Sequence, residues 1–183
     1  IIENEPDNAK TVKEFCEKIG TALKRMEQLI LSMLKITRLD TGNIVFEQTP
    51  CTVKEIIENA TNELTTRAVH ENKQIIVTGD HNQTITCDID WTSEAIENLV
   101  KNSIDHTDPG GIIRITWEKS PTMLWIIVSD NGNGIAPEDI HHIFKRFYRS
   151  KQSLDMPGIG LGLPLAKSII EGQGGLISVQ SDL

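Results

Sequence analysis

Cysteine is scarce: Cys16, Cys51 and Cys87 are odd in number, widely spaced and never in a C-x-x-C pair. That excludes a disulfide framework and leaves no zinc signature, so three inert thiols in or near a core are expected, in a reducing compartment. Positive charge is also short. The 183 residues carry 18 Lys and Arg against 26 Asp and Glu, a net charge of -8, which argues against a nucleic-acid surface because phosphate binding is driven by basic side chains. An anionic ligand therefore needs local donors. Aromatic residues make up only 4%. The strongest apolar stretch, around Leu29 to Leu34, falls far short of the roughly 20 residues that span a bilayer. No signal-peptide pattern opens the sequence, and neither repeats nor low-complexity tracts occur.

Periodicity organises what is present. From Val12, apolar residues recur at Cys16, Ile19, Leu23, Met26, Ile30 and Met33 in steps of four and three, and Phe15, Ala22, Leu29 and Ile36 widen that arc. This predicts a long helix of bundle type whose face needs a second copy or further helices. It is expected to stop near Asp40, with Gly42 as the left-handed terminator. A second module begins at 44. Ile44 to Gln48 reads as a strand and Val53 to Glu71 as a helix. Gln74 to Thr78 and Thr84 to Cys87 read as strands, followed by a helix from Trp91 to His106. Two β-rich runs, Ile112 to Trp117 and Met123 to Ser129, suit adjacent antiparallel strands. After an irregular stretch from Asp130 to Gly162, a helix (Leu163 to Glu171) and a strand (Leu176 to Gln180) are expected. The class is α/β, a mixed sheet with helices on one face.

Three places carry chemistry. On the helix from Trp91 to His106, Asn98, Asn102 and Asp105 fall within roughly 60° of one another, opposite the apolar face. Their amide oxygens suit a hard cation such as magnesium; the same pattern also fits a solvated polar face. Asp130-Asn131-Gly132-Asn133-Gly134 follows a strand directly, so Asp130 can accept from an exocyclic amine such as that of adenine while Gly132 and Gly134 admit a ligand close to the backbone. A hairpin turn is the competing reading. Gly158-Ile159-Gly160-Leu161-Gly162 runs into Leu163-Pro164, giving a helix N-terminus with free amides for an anion. It is neither the dinucleotide fingerprint nor a Walker A loop, because Leu163 and Ala166 stand where those need glycine. Between these sites, Phe144 and Phe147 can anchor a segment whose Arg146, Arg149 or Lys151 reaches phosphates. The adjacent His141 and His142 diverge and lack a third ligand, so they read as surface residues rather than a metal site.

In order, Asn98-x-x-x-Asn102, Asp130-x-Gly132-x-Gly134, Phe144 to Arg149 and Gly158-x-Gly160-x-Gly162 resemble the N, G1, F and G2 boxes of bacterial sensor histidine kinases. Arg25-Met26 through Arg38-Leu39-Asp40-Thr41-Gly42 is similar to the second helix of that family's dimerisation and phosphotransfer hairpin. The resemblance implies a hairpin part over 1–43 and, over 44–183, a GHKL-type ATP-binding sandwich with a left-handed crossover and an ATP lid at about 136–157. It assigns Asn102 to Mg2+, Asn98 to the neighbourhood of the phosphates, Asp130 to the adenine amine and Arg149 to phosphate. His106 is placed beside adenine or phosphate, and the glycines from Gly158 to Gly162, with Leu163, around the triphosphate. ATP and Mg2+ are the implied cofactors. A response regulator is the implied partner, with a homodimer through the hairpin and a membrane-anchored sensor upstream of a cytoplasmic domain.

Asp105 stands where the family often has lysine or arginine. The family's acceptor histidine lies in a pattern like His-Glu-Leu-x-Thr-Pro, and His70, His81, His106, His141 and His142 all lack that setting. The acceptor and its acidic neighbour are thus expected outside this chain, which reads as a fragment with no general base of its own. An ATPase or serine kinase on the same nucleotide fold is the alternative, and a non-catalytic nucleotide-binding or dimerisation module a third.

Overall fold

The computed structural model describes residues 9–150 and 158–181. Lys151 and the lid segment 151–157 lie outside the described residues, as do the first eight and last two positions of the two predicted modules.

Helix α1 spans Ala9–Asp40 and ends where predicted, with Gly42 at φ +66° and the Asn43 amide donating to the Arg38 carbonyl at 3.1 Å. Its apolar arc has two fates. Near the C-terminal end, Ile36 is buried among Leu161, Leu165, Ala166 and Ile169, with Leu29 and Leu39 alongside. The stripe of Ile19, Leu23, Met26, Ile30 and Met33 remains open, Leu23 and Met26 each 60% exposed.

Strand β1 is Thr49–Thr52, not Ile44 to Gln48. The backbone before it is held irregular, with the Glu47 amide donating to Asp88 Oδ2 at 2.9 Å. Pro50 is tolerated inside the strand because β1 has a single partner, β3 (Thr84–Cys87), to which it pairs antiparallel with Pro50 opposite Thr86. Helix α2, Val53–His70, opens on a full capping box: Thr52 Oγ1 accepts from the Glu55 amide and Glu55 Oε2 from the Thr52 amide. Such caps are worth about 1 kcal/mol.

Strands β2 (Gln74–Thr78), β4 (Ile112–Lys119) and β5 (Leu124–Asp130) make the second sheet, β2 parallel to β4 and β4 antiparallel to β5. Ile113, Ile115 and Trp117 alternate inward from β4 onto Ile56, Ile57 and Ala60 of α2 and Ile96, Val100 and Ile104 of helix α3, Ile89–Asp105. Helices α2 and α3 therefore cover one face of a mixed sheet, as expected. Asp88 caps α3, Oδ1 accepting from the Trp91 amide at 3.1 Å, which starts the helix two residues earlier than predicted. Helix α4 (Pro137–Ile140) is one short turn, and α5 (Gly162–Gly172) packs on α3 and α1. The expected last strand is not one: residues 176–180 alternate in exposure but pair with no strand among the described residues.

The cysteines divide. Cys51 and Cys87 face each other across β1 and β3, Sγ to Sγ 3.5 Å, whereas Cys16 is exposed on α1 rather than near a core. Burial, then the hydrogen bond with Cys87, pushes the Cys51 thiol up to about 12. Little of Cys51 is then thiolate at pH 8. Brief alkylation of the native protein should label Cys16 and spare the pair; peptide mass spectrometry showing equal labelling at Cys51 would contradict this arrangement.

Candidate functional site

Helix α3 is the axis of the site. Nearly three turns from the N-cap, Asn98 is half-buried with its Nδ2 donating to the Glu94 carbonyl at 2.8 Å, which turns Oδ1 outward against α5. There a Cβ added to Gly162 would lie 2.9 Å from Asn98 Oδ1. The first asparagine of the helix and the last glycine of the loop are thus in contact, and only glycine leaves room between them. Asn102, one turn further on, has no side-chain hydrogen bond among the described residues. Its carbonyl accepts from the amide of His106, the residue that ends the helix.

The C-terminal end of α3 meets the other glycine loop. Asn133 donates its amide to the His106 carbonyl, and a Cβ on Gly132 would fall 2.2 Å from that same oxygen. Asp130, exposed at the end of β5, accepts from the Gly132 amide through Oδ1 at 3.1 Å, leaving its other oxygen without a partner among the described residues. Asn131 Oδ1 accepts from the Ile112 amide at 2.7 Å, which closes the loop onto β4. Gly134 turns the chain at φ +69°.

The loop 158–162 is braced from behind by the aromatic segment. Phe147 donates its amide to the Gly160 carbonyl at 2.9 Å, and a Cβ on Gly160, at φ +73°, would sit 2.5 Å from the Tyr148 carbonyl. Phe144 lies under the Lys167 ammonium of α5, 5.5 Å from ring centre to Nζ. Tyr148 donates to Asp139 Oδ1 at 2.5 Å, a bond that raises the phenol's pKa, and its ring packs on His142, whose Nδ1 is buried without a partner among the described residues. Arg146 is not turned toward the loops: it pairs with Asp40 at the end of α1. Gly158, at φ +150°, offers its carbonyl to Arg25 Nη2 of α1 at 3.0 Å. Arg149 closes the Phe144 to Arg149 segment, one residue before the described stretch ends at Ser150. Helix α5 begins at Gly162 and Leu163 without any side-chain cap.

The motifs therefore meet along α3, Asn98 touching the loop 158–162 and His106 the loop 130–134, with the aromatic segment behind Gly160. Asn98 and His106 are eight residues apart, roughly 12 Å of helix. A groove of about 520 Å³ between α1, α2 and α3 shares Asn98 but is otherwise lined by Lys35, Asp90, Glu94 and neighbours away from both glycine loops. The glycine loops, not that groove, are where backbone amides converge.

Sequence reasoning missed the partners from outside the motifs. Arg67 of α2 pairs with Asp105, Lys73 reaches the Ile104 carbonyl at 2.7 Å, and Arg25 reaches Gly158. The i,i+4 spacing of Arg67 and Glu71 was the only local signal for any of them.

A mixed sheet covered by helices, with one glycine loop against the middle and another against the end of one amide-bearing helix, fits the class of ATP-binding α/β sandwiches. The profile of the family described as histidine kinase-, DNA gyrase B-, and HSP90-like ATPase matches residues 87–183, and the chain belongs to that family. The signal transduction histidine-protein kinase/phosphatase MprB of Mycolicibacterium paratuberculosis is 30% identical over 172 residues, 92% of this chain and 32% of MprB. This chain thus spans about a third of that relative's length. The catalytic domain of histidine kinase ThkA superposes with a TM-score of 0.62 at 27% identity, over 69% of this chain and 82% of that one. ThkA in its complex with the response regulator TrrA gives 0.72 at 24% identity over 92% of this chain and 47% of that one, a likeness of fold. Within that family the chain is similar to the ATP-binding catalytic domains of histidine kinases.

Proposed function

We propose that this chain positions Mg-ATP so that its γ-phosphoryl group passes to a histidine outside the chain, for relay to a response regulator. The observation that carries the reading is α3 itself, which touches the glycine loop 158–162 through Asn98 and the Asp130 loop through His106. An extended nucleotide laid along it has its base at Asp130, Gly132 and Gly134, and its phosphates at Gly158, Gly160, Gly162 and Leu163. The free oxygen of Asp130 accepts from the adenine amine. The uncapped amides at the start of α5 receive phosphate oxygens, favoured by the helix dipole. Asn102, with its amide oxygen unclaimed among the described residues, fits a magnesium ligand, and Asn98 holds the phosphate side of that site. When bound, magnesium neutralises phosphate charge and orients the triphosphate. Arg149 completes the phosphate contacts and His106 lines the nucleotide between the two ends. The remaining catalytic demand is alignment, which rigid placement of these groups on α3 and α5 supplies.

The open stripe on α1 supports a homodimer through a helical bundle, and ThkA, solved with a response regulator, supports that class of partner. Relatives named as sensors, such as the sensor protein kinase PmrB of Pseudomonas aeruginosa, support a membrane-anchored whole with this part in the cytoplasm. Calorimetric titration with a non-hydrolysable ATP analogue tests the reading: binding is expected with magnesium and is weakened at least about tenfold by chelation. Affinity indifferent to magnesium, or no binding, would remove it.

A further inference from the structure

The C-terminal turn of α3 carries a carboxylate, Asp105, beside the proposed nucleotide site. Asp105 lies three residues beyond Asn102 and immediately before His106, within one helical turn of the residue to which the nucleotide reading gives the metal that the phosphates share. An unpaired carboxylate there repels an anionic ligand, and the repulsion is strong where water is partly excluded. Asp105 is not left unpaired. Its Oδ1 accepts from Arg67 Nη2 of α2 at 2.5 Å, and its side chain is only 12% exposed. Arg67 is itself held: Nε donates to Glu71 Oε1 at 2.7 Å. Glu71 also accepts from Lys73 Nζ at 2.6 Å, and Lys73, 7% exposed, donates onward to the Ile104 carbonyl at 2.7 Å. Two cations and two carboxylates thus form a neutral chain that locks the end of α2 to the end of α3. Lys73 also adds a charged donor to a carbonyl in the last turn of α3, which the Thr107 amide reaches as well.

We infer that Arg67 is a positioning residue for nucleotide binding: it turns the Asp105 carboxylate toward α2 and cancels its charge, so that the stretch of α3 around Asn102 stays receptive to a metal-bound triphosphate. The inference rests on the nucleotide reading above. Arg67 touches no part of the proposed site and acts through Asp105 alone. Removing it frees a carboxylate one turn from Asn102; removing both charges leaves no repulsion to relieve. The ordering of affinities is therefore set by charge and not by packing.

The test compares the parent, Arg67→Ala, Asp105→Asn and the double variant by titration with a magnesium-bound ATP analogue and, separately, with adenosine, which has no phosphate. Arg67→Ala is expected to weaken the analogue about tenfold at low salt, and less as salt rises. It leaves adenosine unchanged, and the double variant returns to within about twofold of Asp105→Asn. Arg67→Lys, keeping the charge but losing the fork, falls between parent and Arg67→Ala. Equal losses for the analogue and adenosine, or a double variant as weak as Arg67→Ala, would mean that Arg67 serves only to hold α2 on α3 and would overturn the inference. An unchanged Arg67→Ala overturns it as well. Failure of the parent to bind the analogue sinks the nucleotide reading itself, which separates the two failures.

Discussion

Asn102→Ala should lower the affinity for a magnesium-bound ATP analogue about 100-fold, roughly 2.7 kcal/mol, with little change in thermal stability. The size follows from what the side chain does in the fold. Its amide meets no donor among the described residues and it is half-buried on α3, so its loss leaves no unsatisfied protein group behind. The helix itself gains propensity from alanine. All of the cost then appears only when the cation is present. In chelator, parent and variant should bind the nucleotide equally weakly, and that convergence is the decisive reading. A variant that is weaker than the parent without magnesium would place Asn102 on the nucleotide directly and remove it as the metal ligand.

Gly160→Val is expected to damage the same site by a different route. At φ +73° a β-branched residue is strained by about 1 to 3 kcal/mol, and the added Cβ would stand 2.5 Å from the Tyr148 carbonyl and 2.9 Å from Phe147 C. Neither neighbour can retreat cheaply, because Phe147 is bonded to the Gly160 carbonyl and Tyr148 to Asp139. The loop must peel away from the aromatic segment, taking the start of α5 with it. Analogue affinity should fall at least about 30-fold, with raised hydrogen exchange confined to residues near 144–150 and 158–165. Gly20→Ala is the control: nothing lies within 4 Å of a Cβ there, so it should leave binding intact and strengthen α1 by about 0.5 to 1 kcal/mol. Exchange rising throughout the β4 core in Gly160→Val would mean global unfolding and would defeat the account.

The sequence made the motifs visible because each is local. An asparagine pair at helical spacing, a carboxylate at a strand end and alternating glycines before a helix all follow from short-range chemistry. What was not legible is which motif rests on which. That Gly160 needs its bare Cα because Tyr148 lies behind it, or that Gly132 abuts the His106 carbonyl, depends on how α3, α5 and the aromatic segment pack. Asp105 shows this most clearly. Read along the chain it was a misplaced negative charge, and only the packing of α2 on α3 brings in Arg67, 38 residues away. The misplaced first strand has an equally physical cause. The strand lies over Thr49–Thr52 and includes Pro50, because a strand bonded on one side only among the described residues can hold a proline whose missing N–H faces no neighbour. Alternation over 176–180 was real, but alternation describes exposure and does not supply a partner.

The attachment of α1 gives the molecule a mechanical property. The helix is roughly 48 Å long, and fastenings tie its C-terminal half to the sandwich, through Ile36 on α5, Lys35 on Glu94, Arg146 on Asp40 and Arg25 on the Gly158 carbonyl. From Arg25 to Ala9 about 24 Å of helix projects beyond the last of these fastenings, so a tilt of about 5° carries its tip roughly 2 Å. The arm works in reverse as well. A twist or lean imposed on the far end arrives, reduced in amplitude and multiplied in force, at the backbone of Gly158, where a displacement of a few tenths of an ångström is felt by every amide lined up behind it.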